Sequence, residues 1–187
     1  MTKWWRTAVR ALALLTLATG ALAADRPARW AAPVAVDGAP NLHKVSDVLY
    51  RSAQPSATGM KGLEALGVKT VLSLRSFHSD KREAKGTKLA LVRVRFDTWD
   101  VDEDELVDAL RILRDPAKQP VLVHCLHGAD RTGMIIALHR IVFEGWTKAE
   151  AVDEMRNGGT GWHSVWTHIP KYVESVDVDA LKGRIEN

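Results

Sequence analysis

The chain has 187 residues, 46% of them hydrophobic and 26% charged, which suits one packed domain and excludes a disordered or fibrous chain. Its 26 basic and 23 acidic residues leave a net charge of +3, but residues 1–23 hold three basic and no acidic side chains, so the rest balances at 23 of each. That balance lacks the cationic excess of a nucleic-acid binder, and a single cysteine excludes an internal disulfide.

Residues 1–23 begin with Lys3, Arg6 and Arg10, continue through an apolar run at 11–20 and end in the small-x-small triplet Ala21-Leu22-Ala23. This is the pattern of a cleavable secretory signal, and the apolar run is too short to serve as a membrane anchor afterwards. Residues 24–40, with Pro27, Pro33 and Pro40, are expected to run extended or mobile, and residues 41–187 read as one domain. Within it, 47–51 predicts a strand, 58–66 a short helix ending at Gly67, and 68–74 a second strand. Residues 89–96 alternate apolar and charged side chains, as a half-exposed strand does. Asp102 followed by Glu105 predicts an N-cap and capping box for a helix over 103–114, with Leu106, Val107, Leu110 and Leu113 at helical spacing. A buried strand at 121–124, helices at 132–144 and 148–157, and a C-terminal helix near 171–176 complete the pattern. Alternating strands and helices predict an α/β fold with a central, mainly parallel sheet flanked by helices, and a ligand site at the carboxyl ends of the strands.

The strand at 121–124 runs into His124-Cys125-Leu126-His127-Gly128-Ala129-Asp130-Arg131-Thr132-Gly133 and then into a helix. A strand, tight loop and helix N-terminus gather unpaired N–H groups and the positive end of the helix dipole at one point, which makes an anion trap. A free thiol titrates at about 8.5, and such a setting lowers it, so Cys125 is read as a thiolate nucleophile. Arg131 offers a planar fork for two phosphate oxygens. Gly128 can take the positive φ of a sharp cradle, and Thr132 can donate its hydroxyl to the sulfur. Leu126, His127, Gly128, Ala129, Asp130, Arg131 and Thr132 are therefore the predicted phosphate-binding loop. His124 is placed beneath the loop, His127 on it, beside the thiolate or substrate, and His163 and His168 are assigned to surface or packing. No second ligand cluster with zinc spacing accompanies these histidines, so no metal and no other cofactor is expected.

Cys-x5-Arg-Thr after an apolar strand and a histidine resembles the cysteine-dependent protein tyrosine phosphatases. Residues 41–159 look like the small bacterial dual-specificity-type branch, which has similar segments at Leu49-Tyr50-Arg51-Ser52-Ala53-Gln54-Pro55, at 68–75 and at Gly145-Trp146. The resemblance implies this superfamily's fold, a phosphocysteine intermediate, a bacterial origin and hence a periplasmic destination. It also implies a general-acid aspartate on an upstream loop. Four aspartates stand there. Asp102 is taken by the cap and Asp104 by the first helical turn, which leaves Asp97 and Asp100; Asp100, beside Trp99 and just before the helix, is preferred, with Asp97 as a turn residue.

The expected substrate is a phosphotyrosyl protein, with phosphoserine and phosphothreonine also considered, acted on by a monomer. Two alternatives remain: a phosphoinositide or inositol-phosphate phosphatase, and an inactive phosphoprotein-binding module, which the intact Cys125, Arg131 and Asp100 oppose. Lys81, Arg82, Lys85 and Lys88 form either a solvated loop or a cationic rim. Residues 158–166, with Trp162, His163 and Trp166, form either a lid or packing for the last helix.

Overall fold

The computed structural model describes residues 26–187, so the expected leader at 1–23 lies outside the described residues. Among the described residues, six strands form one sheet: β1 (Ala32–Pro33), β2 (His43–Ser46), β3 (Leu49–Ser52), β4 (Thr70–Ser73), β5 (Ala90–Arg93) and β6 (Val121–His124). Their order is β1-β2-β3-β6-β4-β5. The pairs β3–β6, β6–β4 and β4–β5 are parallel, while β1 and β2 add an antiparallel edge. Strands β3, β6 and β4 are buried throughout, because each lies between neighbours and under helices on both faces. Their register ends level, with Ser52 and Ser73 both opposite His124, so three carboxyl ends open at one height beneath Cys125.

Six helices among the described residues cover the sheet: α1 (Ala57–Ala65), α2 (Glu103–Arg114), α3 (Asp130–Glu144), α4 (Lys148–Asn157), α5 (His168–Ser175) and α6 (Val178–Glu186). On one face Leu72, Val121 and Val123 pack with Leu106 and Leu110 of α2, Met134, Ile135 and Leu138 of α3, and Ile169 and Val173 of α5. On the other face Val71 and Leu122 pack with Met60 and Leu63 of α1. Successive strand residues point to opposite faces, and that alternation sorts the two cores. Helix α3 stops at Gly145, whose φ of 70° is the left-handed cap that glycine provides without steric cost.

Asp102 does cap α2, but its carboxylate accepts from Asp104 N at 2.8 Å and no box with Glu105 forms. The reciprocal box occurs instead at Thr147 and Glu150, opening α4. Helix α3 starts at Asp130, two residues before the sequence expectation. Strands β1 and β2 and helix α6 escaped the sequence reading, since the first is two residues long and the others are short and carry polar residues. The described part of the 24–40 segment is pinned to the domain: Arg26 Nη1 donates to Gly158 O at 2.7 Å and Ala31 N to Glu154 Oε1 at 2.6 Å. Glu154 is itself paired with the buried Arg140 at 3.0 Å.

Candidate active site

The loop from Cys125 to Ala129 is shaped by what happens to its carbonyls. Cys125 O accepts from His124 Nδ1 at 3.0 Å and Leu126 O from Gln54 N at 3.1 Å. His127 O accepts from Asn41 Nδ2 at 2.9 Å, Gly128 O from Arg51 Nη2 at 2.7 Å, and Ala129 O from Gly133 N at 2.6 Å. With five consecutive carbonyls tied to the surrounding frame, the N–H groups of Leu126, His127, Ala129, Asp130 and Arg131 donate to no protein acceptor among the described residues. The N-terminus of α3 has no side-chain cap either. Unused donors gathered at a helix start are what binds a phosphate. Gly128 sits at φ 71°, and a Cβ there would lie 2.5 Å from the backbone of Ser52 and Ala53, so the turn both needs the left-handed region and presses against β3.

Cys125 lies on the floor of this loop, 2% exposed. Burial pushes its thiol up, but hydrogen bonding from Thr132, the Arg131 charge and the Gly128 N–H outweigh it, so the thiol titrates below its ordinary range. Gly128 N donates to Sγ at 3.3 Å. The Thr132 hydroxyl is buried with no regularly placed partner, and the nearby sulfur is the group it stabilises. Arg131 is held by Nη1 donating to Leu74 O at 3.1 Å and Phe96 O at 3.2 Å, at the ends of two neighbouring strands. Arg131 lines a cavity of about 160 Å³ together with Arg75, Ser76, Phe77, Asp97, Thr98, Trp99 and Leu126.

Two buried groups support the loop from beneath. Arg51 is wholly buried, and desolvation lowers its guanidinium to about 10, while the negative charges of Glu154 and of the Cys125 thiolate hold it up. Arg51 and the thiolate therefore stabilise each other's charge. His124 Nε2 meets Asp80 Oδ2 at 3.0 Å, and Gln54 Nε2 donates to Asp80 Oδ1 at 2.8 Å. Burial pushes Asp80 up, but these bonds outweigh it and keep its carboxyl below the usual range. In the sequence Arg51 and Gln54 stand out only as part of a segment similar to the family, and Asn41 and Asp80 do not stand out at all. A charged residue inside an otherwise strand-like run, as Arg51 is, was the available signal.

The upstream loop expected to carry the general acid is arranged differently. Asp97 lines the cavity, and its Oδ1 accepts from Ser76 Oγ. Asp100 is exposed, makes no hydrogen bond or ion pair with the described residues and stands outside the cavity lining. The structure thus brings Cys125, Arg131, Thr132 and Asp97 together and leaves Asp100 on the exposed part of the loop. Beside the loop, burial and then the charges of Asp102, Asp97 and Asp100 raise the Glu105 carboxyl above its usual range. His168 Nε2 donates to Thr98 O at 2.7 Å and tethers this loop to α5.

Asp130, expected as part of the phosphate-binding loop, has its side chain buried and turned to His163, accepting from its N at 2.9 Å and its Nδ1 at 2.8 Å. That anchors residues 158–166, where Trp162 and Trp166 pack against the main core. His163 and His168, assigned from sequence to surface or packing, are instead tied to the site's loops.

The model of the tyrosine phosphatase family matches residues 39–179. A curated relative, the dual specificity protein phosphatase TpbA of Pseudomonas aeruginosa, is 39% identical over 167 residues, covering 88% of this chain and 75% of its own. Among solved structures, a cysteine-to-serine variant of P. aeruginosa TpbA in complex with pTyr superposes with a TM-score of 0.77 at 36% identity, covering 87% of this chain and 99% of that one. The catalytic core of the PP-IP phosphatase SIW14 from S. cerevisiae gives 0.66 at 26% identity, over 80% and 93% of the two chains. The chain belongs to the tyrosine phosphatase family. It is a phosphatase of the tyrosine and dual-specificity kind, with that family's α/β fold.

Proposed function

We propose that this protein is a periplasmic phosphatase that hydrolyses phosphotyrosine in proteins, with phosphoserine and phosphothreonine as poorer substrates, through a phosphocysteine intermediate. The observation that carries the proposal is the cradle of unused N–H groups over a thiol lowered by its neighbours, with Arg131 at its edge. Phosphoryl oxygens take those donors and the Arg131 fork. With the exposed residues Trp99 and Asp100 closed over the cavity, Cys125 Sγ attacks phosphorus, the bond to the tyrosyl oxygen breaks, and Asp100 supplies that oxygen with a proton. Water then gives its proton to the same carboxylate and attacks phosphorus, and the S–P bond breaks to return the thiolate and release phosphate. Asp97, committed to Ser76, stays in the wall.

An aromatic ester fits the rim. Phe77 is 92% exposed and Trp99 65% exposed, and both line the cavity with Leu126, so a phenyl ring entering phosphate-first meets apolar side walls. The likeness to SIW14 favours a second reading, an inositol-phosphate substrate. Against it, the rim cations are partly engaged: Arg75 Nη1 donates to Gln54 Oε1 at 2.9 Å and Arg82 Nη2 to Glu83 Oε1 at 2.9 Å. A kcat/KM panel of phosphotyrosyl, phosphoseryl and inositol-phosphate substrates, with Cys125→Ser as blank, tests the choice. The phosphotyrosyl peptide is expected to lead, and a lead by the inositol phosphate overturns the reading. Acid quenching of labelled substrate should trap phosphate on Cys125, and the periplasmic fraction should yield a mature chain beginning near residue 24.

A further inference from the structure

The loop between β4 and β5 carries a cluster that the phosphatase reaction does not use. His78 Nε2 lies 3.7 Å from Asp80 Oδ1 and 3.6 Å from Glu83 Oε2, and the three ligand atoms lie within 4.8 Å of one another. Both His78 Nε2 and Glu83 Oε2 are buried and have no hydrogen-bond partner among the described residues, a costly state for polar atoms. The Asp80 and Glu83 side chains are only 3% and 11% exposed. A proton shared between His78 and either carboxylate would draw the pair to about 3 Å, the normal hydrogen-bond distance. The observed gaps are instead close to the separation of about 3.4 Å between ligands around a tetrahedral ion with bonds of about 2.1 Å.

We propose that His78, Asp80 and Glu83 bind a divalent transition-metal ion, zinc being the best match to one imidazole and two carboxylates. The remaining atoms are arranged to hold these ligands. Asp80 Oδ2 is occupied by His124 and Gln54 Nε2 shares Oδ1. Arg82 engages Glu83 Oε1, leaving Oε2 to the ion. Arg93 Nη1 fixes the His78 carbonyl at 3.0 Å. Since His124 in turn holds the Cys125 carbonyl, the ion would brace the floor of the phosphate loop from outside the cavity. The described residues contain one other candidate group, His127, Asp130 and His163, but there His163 Nδ1 and Asp130 Oδ2 already share a 2.8 Å hydrogen bond.

Calorimetric titration of zinc into the Cys125→Ser protein, which removes the competing thiolate, tests this. One ion per chain is expected, with a higher melting temperature when loaded. Affinity should fall by at least about tenfold in His78→Gln and in Glu83→Ala and stay unchanged in His163→Ala. No binding at a one-to-one ratio, retention in both loop variants, or loss in His163→Ala overturns the assignment. Because a loop variant could fail to fold, the zinc absorption edge of the Cys125→Ser protein gives an independent reading. One nitrogen and several oxygen neighbours support the site, and two imidazoles refute it.

Discussion

The phosphate loop and the acid loop line one cavity, yet the first is held at nearly every peptide and the second at two points. Carbonyls 125–129 are tied to Gln54, Asn41, Arg51, His124 and the first turn of α3. The acid loop has Ser76 on Asp97 and His168 on Thr98, with Trp99 and Asp100 exposed between that pair and α2. A cradle that must match phosphate geometry gains from being fixed beforehand, because donors that need no reorganisation stabilise developing charge best. A proton donor that must act after substrate enters gains from freedom to close.

The comparison breaks most visibly at its centre. Cys125→Ser should lower phosphotyrosine turnover by about 10⁴-fold or more, measured as kcat, while a phosphotyrosyl peptide still binds. Next, Asp100→Asn should cost about 10²–10³-fold in kcat on a phosphotyrosyl peptide, and less on p-nitrophenyl phosphate, whose leaving group needs little protonation. Asp97→Asn should cost under about tenfold; the reverse ranking would move the acid into the fixed wall. Gly128→Ala tests rigidity itself: positive φ and a Cβ 2.5 Å from β3 should destabilise the fold by about 2–4 kcal/mol in urea melts.

Smaller effects sharpen the electrostatics. The Cys125 thiol is held below its ordinary range, so iodoacetamide should alkylate it with a midpoint at lower pH than a free thiol. Deleting an anion-stabilising partner favours the protonated form, so Thr132→Val and Arg51→Met should each move that midpoint to higher pH. The smallest change should come from His168→Ala, which frees Thr98 and alters kcat by only about two- to fivefold.

Much of the fixed region was legible before any coordinates. Three spans matched the expectation residue for residue: α2, β6 and α4. Gly128 took the positive φ its place in the loop required. These features obey local rules, namely apolar periodicity, capping and backbone sterics. The partners of the loop did not announce themselves, because Asn41, Arg51, Gln54 and Asp80 stand far from Cys125 in sequence and meet it only through the parallel register of β3, β6 and β4. The capping box expected at Asp102–Glu105 does not form for a local reason: Asp102 meets the N–H of Asp104, and a one-residue difference in that bond is below what spacing resolves; the box at Thr147–Glu150 opens a different helix.

The sequence by itself determined the strand-loop-helix unit that carries Cys125, Arg131 and the Gly128 turn, and the layered α/β plan, since each follows from near neighbours in the chain. Only the tertiary structure decided which groups anchor the loop's carbonyls, that Asp130 serves His163, and that Asp97 lines the wall while Asp100 stands outside. Those outcomes depend on contacts between segments tens of residues apart, and a hydrogen bond across that distance is set by packing, to which local periodicity is blind.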